Sequence, residues 1–153
     1  MRCTLWCRRI LCLTPIMSLK LPQPDAAVLA RRNEIAAALR VIVPGEGVIT
    51  NESELRPYES DGLTAYRQLP MIVVLPETVQ QVSAILSYCH AQGVRVVPRG
   101  AGTSLSGGAL PLADAVLLGM SKFNRILDID FDDRVVVAQP GVTNLAITRA
   151  VEE

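Results

Sequence analysis

Two short apolar runs joined by an amphipathic segment constrain the fold of this chain more than any other feature. Residues 71–75 form a continuous run of Met, Ile, Val and Leu, and residues 94–97 form a second run rich in valine. Between them, apolar side chains recur at helical spacing from Thr78, which forms a capping-box signature with Gln81, to Gly93, a suitable residue to end a helix. Continuous apolar runs are typical of strands buried on both faces, and a helical connection makes such strands parallel. The pattern predicts a β–α–β unit.

A glycine-rich stretch follows the second predicted strand directly. Residues 98–108 read PRGAGTSLSGG and contain four of the ten glycines in the chain. Glycine allows positive φ and close approach of a ligand to the backbone, and the exposed N–H groups of such turns bind anions. In open α/β sheets, ligands bind at the carboxyl ends of the strands, where this stretch lies. The stretch therefore predicts a phosphate site, in which Arg99 either contacts phosphate or supports the loop.

The same residues exclude two common nucleotide-binding motifs. A P-loop requires a lysine after its glycines, and none follows here. The dinucleotide fingerprint requires a third glycine where this chain has Leu105. Gly107, Gly108 and Pro111 also prevent a helix from starting promptly. We therefore expect a long loop, rather than a helix N-terminus, to form the cradle.

The segments on either side predict further elements of an α+β fold. They are a helix over 26–39 capped by Asp25, a short strand at 48–50, a capped helical turn from Asn51, strands at 115–118 and 134–138, a turn at 130–133 and a helix capped by Thr143. Residues 122–127 fit either a helical turn or an extended edge. The acidic run at 128–133 lacks the glycine and terminal glutamate of a calcium loop, so we predict a solvated turn and no metal site.

Composition excludes several classes of partner. Fifteen acidic residues balance fifteen Lys and Arg, and only two Phe, one Trp and three Tyr are present. This balance argues against a nucleic-acid surface or a polybasic membrane patch. No uncharged apolar run is long enough to predict a transmembrane helix.

The first sixteen residues differ from the rest of the chain. They hold three of the four cysteines and the only tryptophan, at spacings that match no zinc or iron–sulfur pattern. A signal peptide is one interpretation, but its apolar run is short, contains Pro15 and lacks a small-residue cleavage site. The preferred interpretation makes Met17 the true start and residues 1–16 a translated leader or disordered tail. Residues 17–66 are then a helical N-terminal arm, and residues 67–153 the body of the domain.

Residues 98–108, the segment 58–67 and the stretch Gln139-Pro140-Gly141-Val142 resemble the FAD-binding domain of the vanillyl-alcohol oxidase and p-cresol methylhydroxylase superfamily. Within it they are most similar to the glycolate oxidase and D-lactate dehydrogenase branch. The resemblance implies the first α/β subdomain of a PCMH-type FAD-binding domain, incomplete in this chain. The loop at 98–108 would wrap the FAD pyrophosphate, and the turn at Pro140-Gly141-Val142 would lie near the adenosine end. The cofactor-binding residues so implied are Pro98, Arg99, Gly100, Ala101, Gly102, Thr103, Ser104, Gly107, Gly108, Pro140, Gly141 and Val142.

The resemblance also implies an activity. Members of this branch oxidise a small 2-hydroxy acid, passing hydride to FAD. Some superfamily members attach FAD covalently to a histidine at the place of Thr103, while the single histidine here is His90, so we expect non-covalent FAD. No catalytic residue or metal ligand can be assigned, and we expect this piece alone to be inactive. The alternative is a truncated or degenerate nucleotide-binding module without catalysis. Other oxidase subunits are the implied partners, in a cytoplasmic protein whose membrane association would depend on them.

Overall fold

A four-stranded sheet forms the centre of the chain in this computed structural model, which describes residues 21–152. The predictions for residues 1–16 lie outside the described residues. The helices are α1 (Ala26–Ala30), α2 (Arg32–Ile42), α3 (Glu52–Leu55), α4 (Val79–Ala91) and α5 (Asn144–Val151). The strands are β1 (Val48–Ile49), β2 (Ile72–Val74), β3 (Arg95–Arg99), β4 (Ala115–Gly119), β5 (Ile126–Asp130) and β6 (Val135–Ala138). Short 3₁₀ turns lie at Gly45–Gly47 and Arg56–Tyr58.

The strand order of the main sheet is β1-β2-β4-β3. Strands β2, β4 and β3 are parallel, and β1 pairs antiparallel with β2. The predicted β–α–β unit is therefore present, but β4 lies between its two strands. All five residues of β4 are buried, as a central strand requires, whereas β3 exposes Arg95 and Pro98. Because proline cannot donate to a ladder, Pro98 suits the edge position that β3 occupies.

Both faces of the sheet are covered. Helices α2 and α4 pack on one face, and the segment from α3 to Leu69 packs on the other. The first cluster includes Ile35, Leu39, Ile72, Ile85, Cys89 and Val116, and the second is Leu55, Val73 and Leu117. Each fully buried aliphatic side chain contributes about 1.5–3 kcal/mol. The proposed boundary between 66 and 67 stays a prediction, although β1 and α2 share one sheet and one core with the residues beyond it.

The predicted helix over 26–39 is instead two helices, α1 and α2, which are separated at Arg31 and continue to Ile42. The two arginines at the break are tied to different parts of the body. Arg31 donates hydrogen bonds to Gln92 beyond α4, and Arg32 donates to the carbonyl oxygens of Met71 and Thr50. These long-range contacts explain a break that the local sequence does not indicate.

The structure shows two of the predicted helix caps and the conformation of residues 122–127, for which the sequence left two alternatives. Thr78 and Gln81 form the complete capping box of α4, and Thr143 accepts a hydrogen bond from the backbone N–H of Ala146 at the start of α5. Residues 126–130 are extended and form an antiparallel hairpin with β6, so the helical alternative for 122–127 is wrong in its last part. Most side chains of this hairpin are solvent-exposed, including Leu127, Phe131, Val135 and Val137.

Candidate functional site

The glycine-rich loop leaves the carboxyl end of β3 as a chain of bends and turns, without a helix, before β4 begins. Gly102 and Gly107 adopt left-handed conformations, with φ of +74° and +75°. Such values favour glycine over any residue with a Cβ. The side-chain oxygen of Ser104 accepts hydrogen bonds from the N–H groups of Ser106 and Gly108, at 3.4 and 3.2 Å. The second half of the loop is thus folded around one hydroxyl group.

The first half of the loop presents free donors. Among the described residues, none accepts a hydrogen bond from the backbone N–H groups of residues 101–105. Ala101, Thr103 and Leu105 are solvent-exposed. Consecutive unpaired N–H groups in a glycine-containing turn form an anion-binding concavity. These unpaired donors are the groups that a bound pyrophosphate would require.

Residues 58–63, here called the support segment, hydrogen-bond to the glycine-rich loop and hold it in place. The Leu63 N–H donates to the Ser104 carbonyl oxygen at 3.1 Å. The carboxylate of Asp61, which is 5% exposed, accepts from the N–H of Leu63 at 2.9 Å and from the N–H of Ala109 at 3.4 Å. A Cβ on Gly62 would lie 2.9 Å from two loop carbonyl oxygens, so only glycine allows this approach. The support segment therefore fixes both the middle and the end of the loop.

Arg99 lies between the support segment and the loop. Its guanidinium donates to the carbonyl oxygen of Ser60 at 2.7 Å and to that of Ala109 at 3.4 Å. The guanidinium carbon lies 5.8 Å from the centre of the Tyr58 ring, within cation–π range. These contacts give Arg99 a role in supporting the loop, and the other role considered, contact with phosphate, stays a prediction.

The other predicted stretch, residues 139–142, follows β6 and packs against residues 120–123, which follow β4. The Gly141 N–H donates to the carbonyl oxygen of Phe123 at 2.6 Å, and a Cβ on Gly141 would lie 2.6 Å from the carbonyl oxygens of Met120 and Phe123. Met120 in turn donates its N–H to the Arg99 carbonyl oxygen at 2.9 Å. The segment from Met120 to Phe123 thus connects the turn at Pro140–Val142 with the start of the glycine-rich loop. Both predicted parts of the site are anchored at the carboxyl edge of the parallel strands.

The predicted residues differ in exposure. Pro98, Gly100, Ala101, Thr103, Gly108 and Pro140 are exposed, while Arg99, Gly102, Ser104, Gly107, Gly141 and Val142 are partly buried. The support segment was not among the predicted binding residues, because Asp61 followed by Gly62 is an ordinary turn sequence. A shallow groove beside the start of α4, lined by Glu77, Thr78, Lys122, Asn124 and Arg125, lies outside the predicted residues. Its Lys122 ammonium pairs with the Glu77 carboxylate at 2.6 Å.

Other reactive side chains lie away from the loop. Cys89 is buried on α4, and burial raises the pKa of its thiol to about 11, so the thiol is protonated at neutral pH. His90 is exposed on the same helix. Within residues 21–152, no three His, Cys, Asp or Glu side chains are grouped to hold a metal ion. The same part of the chain contains no helix with the length and apolarity needed to cross a membrane.

The sheet, the loop at its carboxyl edge and the unpaired N–H groups define a nucleotide-binding domain of the α+β class. The family described as FAD binding domain matches residues 70–153, and the chain belongs to it. The predicted family, fold class and FAD cofactor are thereby confirmed. The mode of FAD attachment and the individual binding residues stay predictions.

Similar proteins and structures agree with this assignment. The chain is 54% identical over 120 residues to the glycolate oxidase subunit GlcD of Escherichia coli K12, covering 78% of this chain and 24% of that protein. It is 37% identical over 117 residues to the mitochondrial D-2-hydroxyglutarate dehydrogenase of Bos taurus, covering 76% of this chain and 21% of that protein. This chain thus spans less than a quarter of the length of either relative.

Two solved structures share the fold. p-Cresol methylhydroxylase with bound substrate superposes with a TM-score of 0.72 at 21% identity, over 84% of this chain and 25% of that one. 4-Ethylphenol oxidase from Gulosibacter chungangensis, in its isoeugenol complex, superposes with a TM-score of 0.73 at 24% identity, over 87% and 26%. At these identities the likeness shows the fold alone.

Proposed function

We propose that this chain supplies the pyrophosphate-binding part of a flavin-dependent oxidoreductase that oxidises a small 2-hydroxy acid of the glycolate or D-lactate type. The observation that carries the proposal is the row of unpaired N–H groups at 101–105, at the carboxyl edge of a parallel sheet in an FAD-binding fold. The names of the similar proteins, glycolate oxidase subunit and D-2-hydroxyglutarate dehydrogenase, support a 2-hydroxy-acid substrate.

The loop residues have separate tasks in this proposal. The N–H groups of residues 101–105 would donate to phosphate oxygens. Because the Ser104 oxygen already accepts two N–H groups, its own hydrogen remains available to donate to the anion. The turn at Pro140–Val142 would meet the adenosine end. When bound, FAD would supply the two-electron acceptor for oxidation of the substrate alcohol.

We further propose that FAD is held without a covalent bond. Thr103 offers a hydroxyl where a linking histidine would be needed, and His90 is on α4 rather than in the loop. Acid precipitation of flavin-loaded protein should therefore leave all the flavin in the supernatant. Flavin that stays with the precipitated chain would contradict non-covalent binding.

The binding role can be tested on the whole chain by titration with FAD, followed by quenching of flavin fluorescence. Gly102→Ala should weaken FAD binding by at least about tenfold, because it disturbs the loop backbone that presents the N–H groups. Gly93→Ala is the matched control: Gly93 also has positive φ, +65°, but its Cβ would meet no atom within 4 Å, and it follows α4. Equal FAD affinity in the two variants would remove the loop from the binding site.

The substrate class requires the native assembly, purified through a tag on this chain. We expect copurified subunits, a cytoplasmic location, and bleaching of the bound flavin by a 2-hydroxy acid such as glycolate or D-lactate. The chain alone should give no turnover. Bound flavin that no 2-hydroxy acid bleaches would favour a nucleotide-binding module without catalysis.

A further inference from the structure

The space beside Gly102 is occupied by one side chain. A Cβ built on Gly102 would lie 2.7 Å from Nε of Arg99, and closer still to Cζ and Nη2. All three of its nearest neighbours belong to Arg99. Gly102 is therefore required to be glycine for two reasons, its φ of +74° and the guanidinium that packs against its Cα.

The guanidinium is not free to move away. It donates to Ser60 in the support segment and to Ala109 at the far end of the loop, and it packs over Tyr58. Both hydrogen bonds come from one nitrogen, Nη1, while Nη2, Cζ and Nε lie against Gly102. A lysine ammonium is a single point and has no second group to fill the space beside Gly102. Arg99 therefore connects the start of the loop, its end and the segment below it.

Arg99 makes no direct ion pair, since no carboxylate lies within ion-pair distance of it across residues 21–152. A partly buried cation thus lies under a loop whose N–H dipoles already present positive ends. The guanidinium and the N–H groups both contribute positive potential, which is unfavourable until an anion binds. The same arrangement therefore favours a phosphate bound to the loop.

We propose that Arg99 is a positioning residue: packed against Gly102, it fixes the conformation of the glycine-rich loop and favours a bound pyrophosphate through the loop rather than by contact. The identity of the anion rests on the proposed function, whereas the bracing of the loop does not. Arg99 and Gly102 then act as one unit, and their substitutions are not additive.

Hydrogen exchange of the loop amides tests the bracing without any ligand. Arg99→Ala and Gly102→Ala should each speed exchange at the hydrogen-bonded amides of Ser106, Gly108 and Ala109 by at least about tenfold, since both remove the guanidinium from its place. The loop amides of the double variant should exchange no faster than those of Arg99→Ala, apart from the effect of placing an alanine at positive φ. Gly107→Ala measures that cost in the same loop, because its φ is +75° and a Cβ there would meet only Leu63, at 4.0 Å. Unchanged exchange in β4 shows that each variant is folded.

FAD titration at two salt concentrations tests the charge. Arg99→Met should lose about tenfold in affinity and part of the salt dependence. Arg99→Lys should keep the salt dependence while its loop amides exchange as fast as in Arg99→Met. Additive effects of Arg99→Ala and Gly102→Ala on exchange, or slow exchange in Arg99→Lys, would overturn the proposal. Absence of FAD binding by the unmodified chain, with the coupling in exchange intact, would instead contradict the proposed function and leave the bracing standing.

Discussion

The buried carboxylate of Asp61 provides the sharpest test of how the loop is held. Its oxygens accept one hydrogen bond at 2.9 Å from Leu63 and one at 3.4 Å from Ala109, which is itself 7% exposed. A hydrogen bond to a charged acceptor contributes about 1.5–3 kcal/mol, and a buried donor left unpaired costs about 1–3 kcal/mol. We assign about 1 kcal/mol to each bond, because the Leu63 N–H keeps its hydrogen bond to the Ser104 carbonyl oxygen and the bond to Ala109 is long, so Asp61→Ala should lower the free energy of unfolding by about 2 kcal/mol.

Urea denaturation followed by circular dichroism measures this loss, and hydrogen exchange at Ala109 locates it. Asp61→Asn keeps one acceptor but turns an amide N–H toward the other donor, so it should fall between Asp61→Ala and the unmodified chain. Asp130 is the matched control, because its carboxylate also accepts a backbone N–H at 2.9 Å, from Asp133, but in an exposed turn. Asp130→Ala should cost about 0.5 kcal/mol. Equal losses for Asp61→Ala and Asp130→Ala would refute the argument that burial sets the size of the effect.

Three further predictions follow from other parts of the structure. Gly62→Ala should weaken FAD binding by at least about tenfold, because its Cβ would collide with loop carbonyl oxygens at 2.9 Å. Gly45→Ala is the control, because Gly45 has positive φ and open space around its Cβ position, so FAD affinity should not change. Fluorescence titration measures both affinities, and equal values would be contrary evidence. Burial raises the pKa of Cys89 from 9.0 to about 11 in the folded chain, so the free energy of unfolding should fall as pH rises through this range. Denaturation at several pH values, in a chain whose other cysteines are replaced by serine, measures this fall. The Cys89→Ala variant of that chain should lack this pH dependence. Replacing the exposed Leu127 and Val137 of the hairpin by lysine should reduce light scattering while changing the free energy of unfolding by less than about 0.5 kcal/mol; a larger loss would mean that these side chains are packed in solution.

Local patterns were sufficient for the elements whose signals are local. The capping box at Thr78 and the cap at Thr143 depend on residues a few positions apart, and both are present. The runs at 71–75 and 115–118 predict strands because β-branched apolar residues favour buried strands. Strand order was beyond these patterns, since the insertion of β4 between β2 and β3 depends on which strand can be buried on both faces.

The site was predicted as a stretch but not as an arrangement. Residues 98–108 could be identified from glycine and hydroxyl content alone. Their support depends on pairs far apart in sequence, such as Arg99 with Ser60 and Asp61 with Ala109. Nothing in the sequence near Arg99 decides between a phosphate contact and a structural role. Tertiary contacts give the guanidinium a structural role against Gly102, and its contact with phosphate stays a prediction.

The central claim is that the N–H groups of residues 101–105 receive the pyrophosphate of FAD. The most direct measurement is a titration of the ¹⁵N-labelled chain with FAD, followed by the chemical shifts of the backbone amides. The account predicts that the largest shifts fall on residues 101–105, with smaller ones at Gly141 and Val142 and none along α2. Largest shifts in the groove at Lys122 and Arg125, with residues 101–105 unmoved, would contradict it.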